Sequence, residues 1–222
     1  MQSAHLKQAL VAHQIERLKE TYRDFVVDDA TRTLGTFFFD RIYSAQGKDK
    51  RDADFKRMYD TFKERLGDDI ADQLGKLVHV NALTDQLDEV VVAKMEASGV
   101  DGTFTNEQYE RAYRETDVYD ERSEQIELLC DSMVFFHTIS HWRSMSLALK
   151  VIKLVARLKG AKELANFLDE GYRAFRTVPE IGLFRETVYE REFIRLNRIY
   201  RLAQEPRPVA SRARAGTRRA TR

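Results

Sequence analysis

The chain has 222 residues, 43% of them hydrophobic and 33% charged, with 3 Pro, 10 Gly and one cysteine, Cys130. At that length a compact chain buries roughly 70% of its extended surface; the high aliphatic and aromatic content excludes disorder throughout, and a lone cysteine excludes a fold held by internal disulfides. Lys plus Arg is 37 against 36 Asp plus Glu, a formal charge of +1, which excludes a chain that is strongly acidic or basic along its whole length.

Residues 4 to 22 place Leu6, Leu10, Val11, Ile15 and Leu18 at helical spacing. A second helix is predicted over 28 to 44, carrying Leu34, Phe37, Phe38, Ile42 and Tyr43, with Asp28 or Asp29 as its cap. A loop follows at 44 to 49. Asp52 to Leu66 is amphipathic through Phe55, Met58, Tyr59, Phe62 and Leu66, and Gly67 separates it from a long helix running from Ile70 to about Met95. The stretch SGVDGTF at 98 to 104 is a turn, and Thr105 with Gln108 has capping-box spacing that opens a short helix to about Thr116. Glu121 to Leu158 is the longest periodic segment, with serines at 140, 144 and 146 making a bend plausible. Gly160 ends it. A short helix at 161 to 175 follows, then a last one over 179 to 203 with Pro179 in its first turn. No stretch alternates like a strand. The expectation is an all-α, irregular bundle of about eight helices with two long central ones.

The charge is unevenly spread. Residues 207 to 222 hold six arginines (Arg207, Arg212, Arg214, Arg218, Arg219 and Arg222) and no acid, which leaves 31 basic against 36 acidic residues in positions 1 to 206 and a formal charge of −5 there. We therefore expect one helical domain over 1–206 and a disordered arginine-rich tail over 207–222. The tail is read first as a solubilising terminus, and second as a weak contact for nucleic acid or an anionic surface. Because no signal-peptide core and no apolar run of membrane-spanning length is present, a cytoplasmic location with no membrane span is expected.

On a helical wheel of the 121–158 segment, Leu129, Met133, Phe136, Ser140, Leu147, Val151, Leu154 and Leu158 form one ridge, and the full apolar arc approaches 200°. His137 and His141 fall inside that arc. Two histidines four apart share a helix face and can ligate one metal, or one of them haem iron, with His79 and Asp88 on the other long helix as further candidate ligands. The motif lacks the carboxylates of HExxH or of di-iron bundles, so structural histidines are the first reading. Cys130, near His137 on the wheel, is either an activated thiol or inert and buried, and the latter is commoner. Asn81, Asp85 and Asp88 border the stripe of the preceding helix and are expected at its surface.

Phe37, Phe38 and Phe39, followed by Asp40, Arg41, Ile42 and Tyr43, make a dense aromatic anchor. Three consecutive phenylalanines cover 200° of an α-helix, so at least one is expected to leave the main core face for a loop, a cavity or a partner. The runs FFFDRIY at 37 to 43, RDADFKRMY at 51 to 59, LGKLVHVNALTDQLDEVV at 74 to 91 and KELANFLDEGYRAFR at 162 to 176 resemble a family of uncharacterised bacterial helical proteins. That family has an FFxxxxY run followed by RDxxF. The resemblance covers most of residues 30 to 200 and sets Phe37, Phe38, Tyr43, Arg51, Asp52, Phe55, Leu83, Leu87, Asp88, Leu168, Gly171 and Phe175 at its recurrent positions. The loop at 44 to 50 departs from the family's GPxDFS-like form, and the basic tail is not part of it. It implies an all-helical fold and carries no chemistry.

No dinucleotide fingerprint, phosphate loop, nucleophile elbow, paired CxxC or calcium loop is present. The leading expectation is a non-catalytic helical interaction or adaptor protein, homodimeric or with another protein partner, using Phe37, Phe38, Phe39 and Tyr43 or the N-terminal helix. A metal-, haem- or small-molecule-binding protein or enzyme using His137 and His141 is the alternative. Nucleic-acid association through the tail is a third.

Overall fold

The computed structural model describes residues 2–42 and 48–202. Tyr43 and the arginine tail, residues 207–222, lie outside the described residues. Among them there are ten α-helices and no strand: α1 (Gln2–Thr21), α2 (Arg23–Val27), α3 (Arg32–Phe37), α4 (Lys48–Leu66), α5 (Asp68–Ala97), α6 (Asn106–Glu115), α7 (Tyr119–Ser140), α8 (Met145–Leu158), α9 (Lys162–Thr177) and α10 (Gly182–Tyr200), with a π-helical turn over Phe38–Ile42.

Local chemistry sets several of these boundaries as the sequence predicts. Thr105 Oγ1 accepts from the Gln108 amide and the Gln108 side chain accepts from the Thr105 amide, closing the capping box that starts α6. Gly160, at φ +77°, ends α8 in a left-handed turn, with Ala161 N–H donating to Ala156 O at 2.7 Å and Gly160 N–H to Arg157 O at 3.1 Å. Two boundaries differ. Asp28 ends α2 rather than capping the next helix, and Oδ1 of its side chain accepts from the Ala30 amide across the turn that precedes α3. Pro179 lies in the link before α10, which opens at Gly182.

α5, thirty residues and about 45 Å long at 1.5 Å per residue, is the spine. It packs against α1, α4, α6 and α7, while α10 lies along α7. Buried side chains form two cores. The larger joins α1, α3, the end of α5, α6, α7, the end of α9 and α10 around Leu6, Leu10, Tyr109, Met95 and Ile199. The smaller joins α4, the start of α5, α8 and α9 around Met58, Phe62, Ile152 and Leu164. Phe136 and Phe167 touch both.

The expectation that one of the three phenylalanines leaves the core is corrected. Phe37, Phe38 and Phe39 are all buried. The π-turn starting at Phe38 widens the helix at this point, so consecutive rings are accommodated on the inward side. Phe37 packs on Phe167 and Phe175, Phe38 on Phe175 and Phe184, and Phe39 stacks on Tyr22. The N-terminal helix is likewise taken up, with Leu6 and Leu10 fully buried.

Phe37 also presses against Gly171 of α9, where a β-carbon would stand 2.8 Å from the Phe37 ring tip. Gly171→Leu should therefore destabilise the protein by about 1–3 kcal/mol through overpacking, read as a fall in thermal midpoint. Gly182→Ala, with nothing within 4 Å of the added carbon, should leave the midpoint unchanged or slightly raised.

Candidate functional site

The expected single helix from Glu121 to Leu158 is two helices, broken at 141–144. The cause lies at one carbonyl. Ser140 Oγ donates to His137 O at 2.8 Å, and His141 Nδ1 lies 2.9 Å from the same oxygen, which places its proton on Nδ1. The His141 amide is left with Thr138 O at 3.3 Å, and Trp142 N–H with Ile139 O at 3.1 Å. The ladder thus tightens from i−4 to i−3 and stops, as serine side chains that compete for backbone acceptors promote.

The histidine pair is therefore a helix terminator. Its rings sit 4.4 Å apart between centroids, but His137 Nε2 donates to Val178 O at 2.9 Å in the link before α10, and His141 is exposed. The other candidate ligands lie elsewhere. His79 is exposed beside Glu124, 3.7 Å away, and Asp88 is buried against Arg122. Glu124 and Arg122 precede His137 on α7 by about 20 Å of helix, so His79 and Asp88 do not converge with His137 and His141. Among the described residues no group of three or more His, Cys, Asp or Glu is placed to hold a metal ion. Cys130 is fully buried, and burial pushes its thiol from 9.0 up to about 12, the opposite of activation.

Asp88 departs from its expected surface position. It is buried with Arg122, 3.5 Å apart, and accepts from Gln14 Nε2 at 3.0 Å. Arg122 also donates to Gln125 Oε1 at 3.2 Å and lies over the Tyr113 ring at 4.5 Å, while Gln125 donates to Thr84 Oγ1 at 2.7 Å. The network ties α1, α5, α6 and α7 together. No described cavity opens onto it. A surface cleft of about 230 Å³ between α6 and α10 is lined by four arginines and two glutamates, but Arg198 pairs with Glu110, Arg111 with Glu107, and Arg114 with the Ile199 carbonyl. Two of its four arginines are thus paired with its two glutamates and a third with a backbone carbonyl, which leaves a modestly basic lining.

Among the described residues, a row of exposed aliphatic side chains lies on α8. Met145, Leu149, Ile152 and Ala156 face the smaller core and are buried. On the opposite side Leu147 is 67%, Val151 39%, Leu154 59% and Leu158 78% exposed. Their spacing of four, three and four is that of a coiled-coil seam, and the ridge runs about 17 Å along the helix. A soluble helix that is apolar on both faces is one with a second neighbour to meet. The sequence pattern contained this ridge but assigned it to the core, because an unbroken helix aligns it with Leu129, Met133 and Phe136. The break turns it outward. Besides the serines that mark a bend, the available signal was the width of the apolar arc, near 200° where one core contact needs little more than 100°.

Fold and surface together define an all-helical protein with no strand among the described residues, no helix there long and apolar enough to cross a membrane, and one helix carrying an uncovered aliphatic seam. Residues 1–206 match the family described as Domain of unknown function (DUF8198), and the chain belongs to that family. Neither a curated protein nor a solved structure matches it.

Asp88→Ala should cost about 3–5 kcal/mol in urea unfolding by stranding the buried Arg122 charge, whereas Asp88→Leu combined with Arg122→Met should recover most of that loss. The Cys130 thiol and the Tyr113 phenol are both held protonated to about 12 by burial, against 9.0 and 10.0 ordinarily. Their shifts contribute stability that is intact below pH 9 and is lost as the pH rises from 9 to 12, since only the unfolded chain ionises there. An alkaline titration of the thermal midpoint checks this, and Cys130→Ala should flatten its slope from pH 9.

Proposed function

We propose that this chain is a non-catalytic helical interaction protein that binds a protein partner through the outward face of α8. The single observation behind this reading is the seam Leu147, Val151, Leu154 and Leu158, exposed on a helix whose opposite face is anchored in the core. Isolated exposed aliphatic side chains are ordinary; three leucines and a valine in register on one helix favour an interaction surface.

Magnitudes limit what kind of binding this is. Covering four half-exposed aliphatic side chains supplies on the order of 5 kcal/mol. That is comparable with the low end of the cost of association, about 4–15 kcal/mol. The seam therefore needs further contacts beside it, and the reading is of a reversible partner rather than a permanent subunit. The aromatic run at 37–39, buried within the chain, plays no part in it.

A photoreactive residue placed at position 151 in living cells should give a discrete cross-linked adduct, and the same group at the exposed position 186 on α10 should not. Leu154→Glu should abolish the adduct while leaving the thermal midpoint within the small range expected of a surface change, about 0.5 kcal/mol. Adduct at neither position, or equally at both, contradicts the proposal. An adduct of twice the chain's mass identifies the partner as a second copy.

A further inference from the structure

The chemistry beside the seam narrows its occupant. Between Asp131 and Glu163 the sequence contains no acidic residue, while Arg143, Lys150, Lys153, Arg157, Lys159 and Lys162 all fall there. On the α8 wheel, with Leu149 at zero, Leu147, Val151, Leu154 and Leu158 lie at about 140–200°, and Arg157 and Lys150 lie at about 80–100°. Lys150 and Arg157 are seven apart on α8, so they form a row along one edge of the seam, and Arg143 lies in the break just before the helix. All three are exposed, and none has an ion-pair partner among the described residues. Asp169 of the neighbouring α9 is already engaged, because it pairs with both Lys153 and Arg173. The other edge is different. It passes through Ala148 and Val155, both half-buried against the smaller core, toward α4, to which Lys159 is tied by a 3.1 Å bond to Thr61.

Resting on the reading above, we infer that the partner of α8 is an amphipathic helix with an apolar seam and a row of acidic residues beside it. Each competing occupant fails on charge or shape. A second copy would set the cationic row against itself in an antiparallel pair, or against Ala148 and Val155 in a parallel one, and in neither case would it meet an acid. The chain's own terminal segment, residues 207–222, contributes six arginines and no acid, so it has the wrong sign. An anionic bilayer fits the sign, but a four-three-four seam bordered by cations on one edge only, and by the α4 side on the other, is built for a rod lying alongside. A partner helix with Glu or Asp along one flank answers the seam and the row at once.

Two synthetic peptides of about three heptads, with leucine at both seam positions and either glutamate or lysine at every flanking position, supply the probes. Titrated against the full chain near 150 mM salt, the glutamate peptide should bind at least about tenfold tighter than the lysine peptide, by the sum of a few flanking pairs won or lost. Lys150→Glu with Arg157→Glu should reverse that preference, and Leu154→Glu should abolish binding of either. Equal binding of the two peptides that Leu154→Glu abolishes would overturn the acidic-row inference while leaving the docking surface intact. Binding of neither peptide also overturns it, and the cross-linking experiment then decides the docking surface by itself. Ridge-dependent binding to phosphatidylcholine–phosphatidylserine vesicles, with neither peptide bound, would overturn both, since the occupant would be a membrane.

Discussion

The feature on which the rest turns is the carbonyl of His137. In an uninterrupted helix it accepts from the amide four residues on. Here the Ser140 hydroxyl and the His141 ring take it instead, and the helix ends at that point. Everything distinctive about the surface follows from this substitution. α8 restarts at Met145, its Met145–Leu149–Ile152–Ala156 face drops into the smaller core, and the second apolar face is exposed to solvent. The two histidines act through geometry and hydrogen bonding, as the turn that aims α8.

That aim needs rigid supports on both sides. The Asp88–Arg122 network fixes the beginning of α7 against α1, α5 and α6, so the helix feeding the break is held from its far end. A buried pair of this kind is weak evidence for stability, because desolvation offsets most of its attraction. It does penalise any arrangement that parts the two charges. At the other end, the left-handed turn at Gly160 closes α8 and returns the chain into α9, whose Leu164 and Ala165 share the core that α8 covers. Between these supports the Phe37, Phe38 and Phe39 cluster packs the N-terminal part of the chain onto α9 and α10.

Much of this was legible in the amino-acid sequence, and the failures have identifiable physical sources. Helical class, the long α5, the capping box at Thr105 and the termination at Gly160 follow from periodicity and local chemistry, which act within a few residues. The aromatic run was misplaced because a wheel at 100° per residue assumes α-geometry, and the chain uses a π-turn at Phe38–Ile42. Asp88 was misplaced because its partner, Arg122, is 34 residues away and no spacing rule reaches that far. The α8 seam was visible as a set of residues but assigned to the wrong side. Ser140, Ser144 and Ser146 gave notice of a bend; the re-phasing it causes depends on which carbonyl loses its helical donor. Of the candidate ligands, His137 and His141 share a face, whereas His79 and Asp88 lie on opposite sides of α5, one exposed and the other buried.

α8 is anchored by one apolar face and exposed on the other, and methyl NMR with a soluble gadolinium chelate measures this directly. The methyl signals of Leu147, Leu154 and Leu158 should be strongly broadened by the chelate in the full chain, while those of Leu149 and Ile152 in the same helix stay sharp. Equal protection of both sets would show that the seam is covered within the chain, and the interaction surface assigned to α8 would be lost.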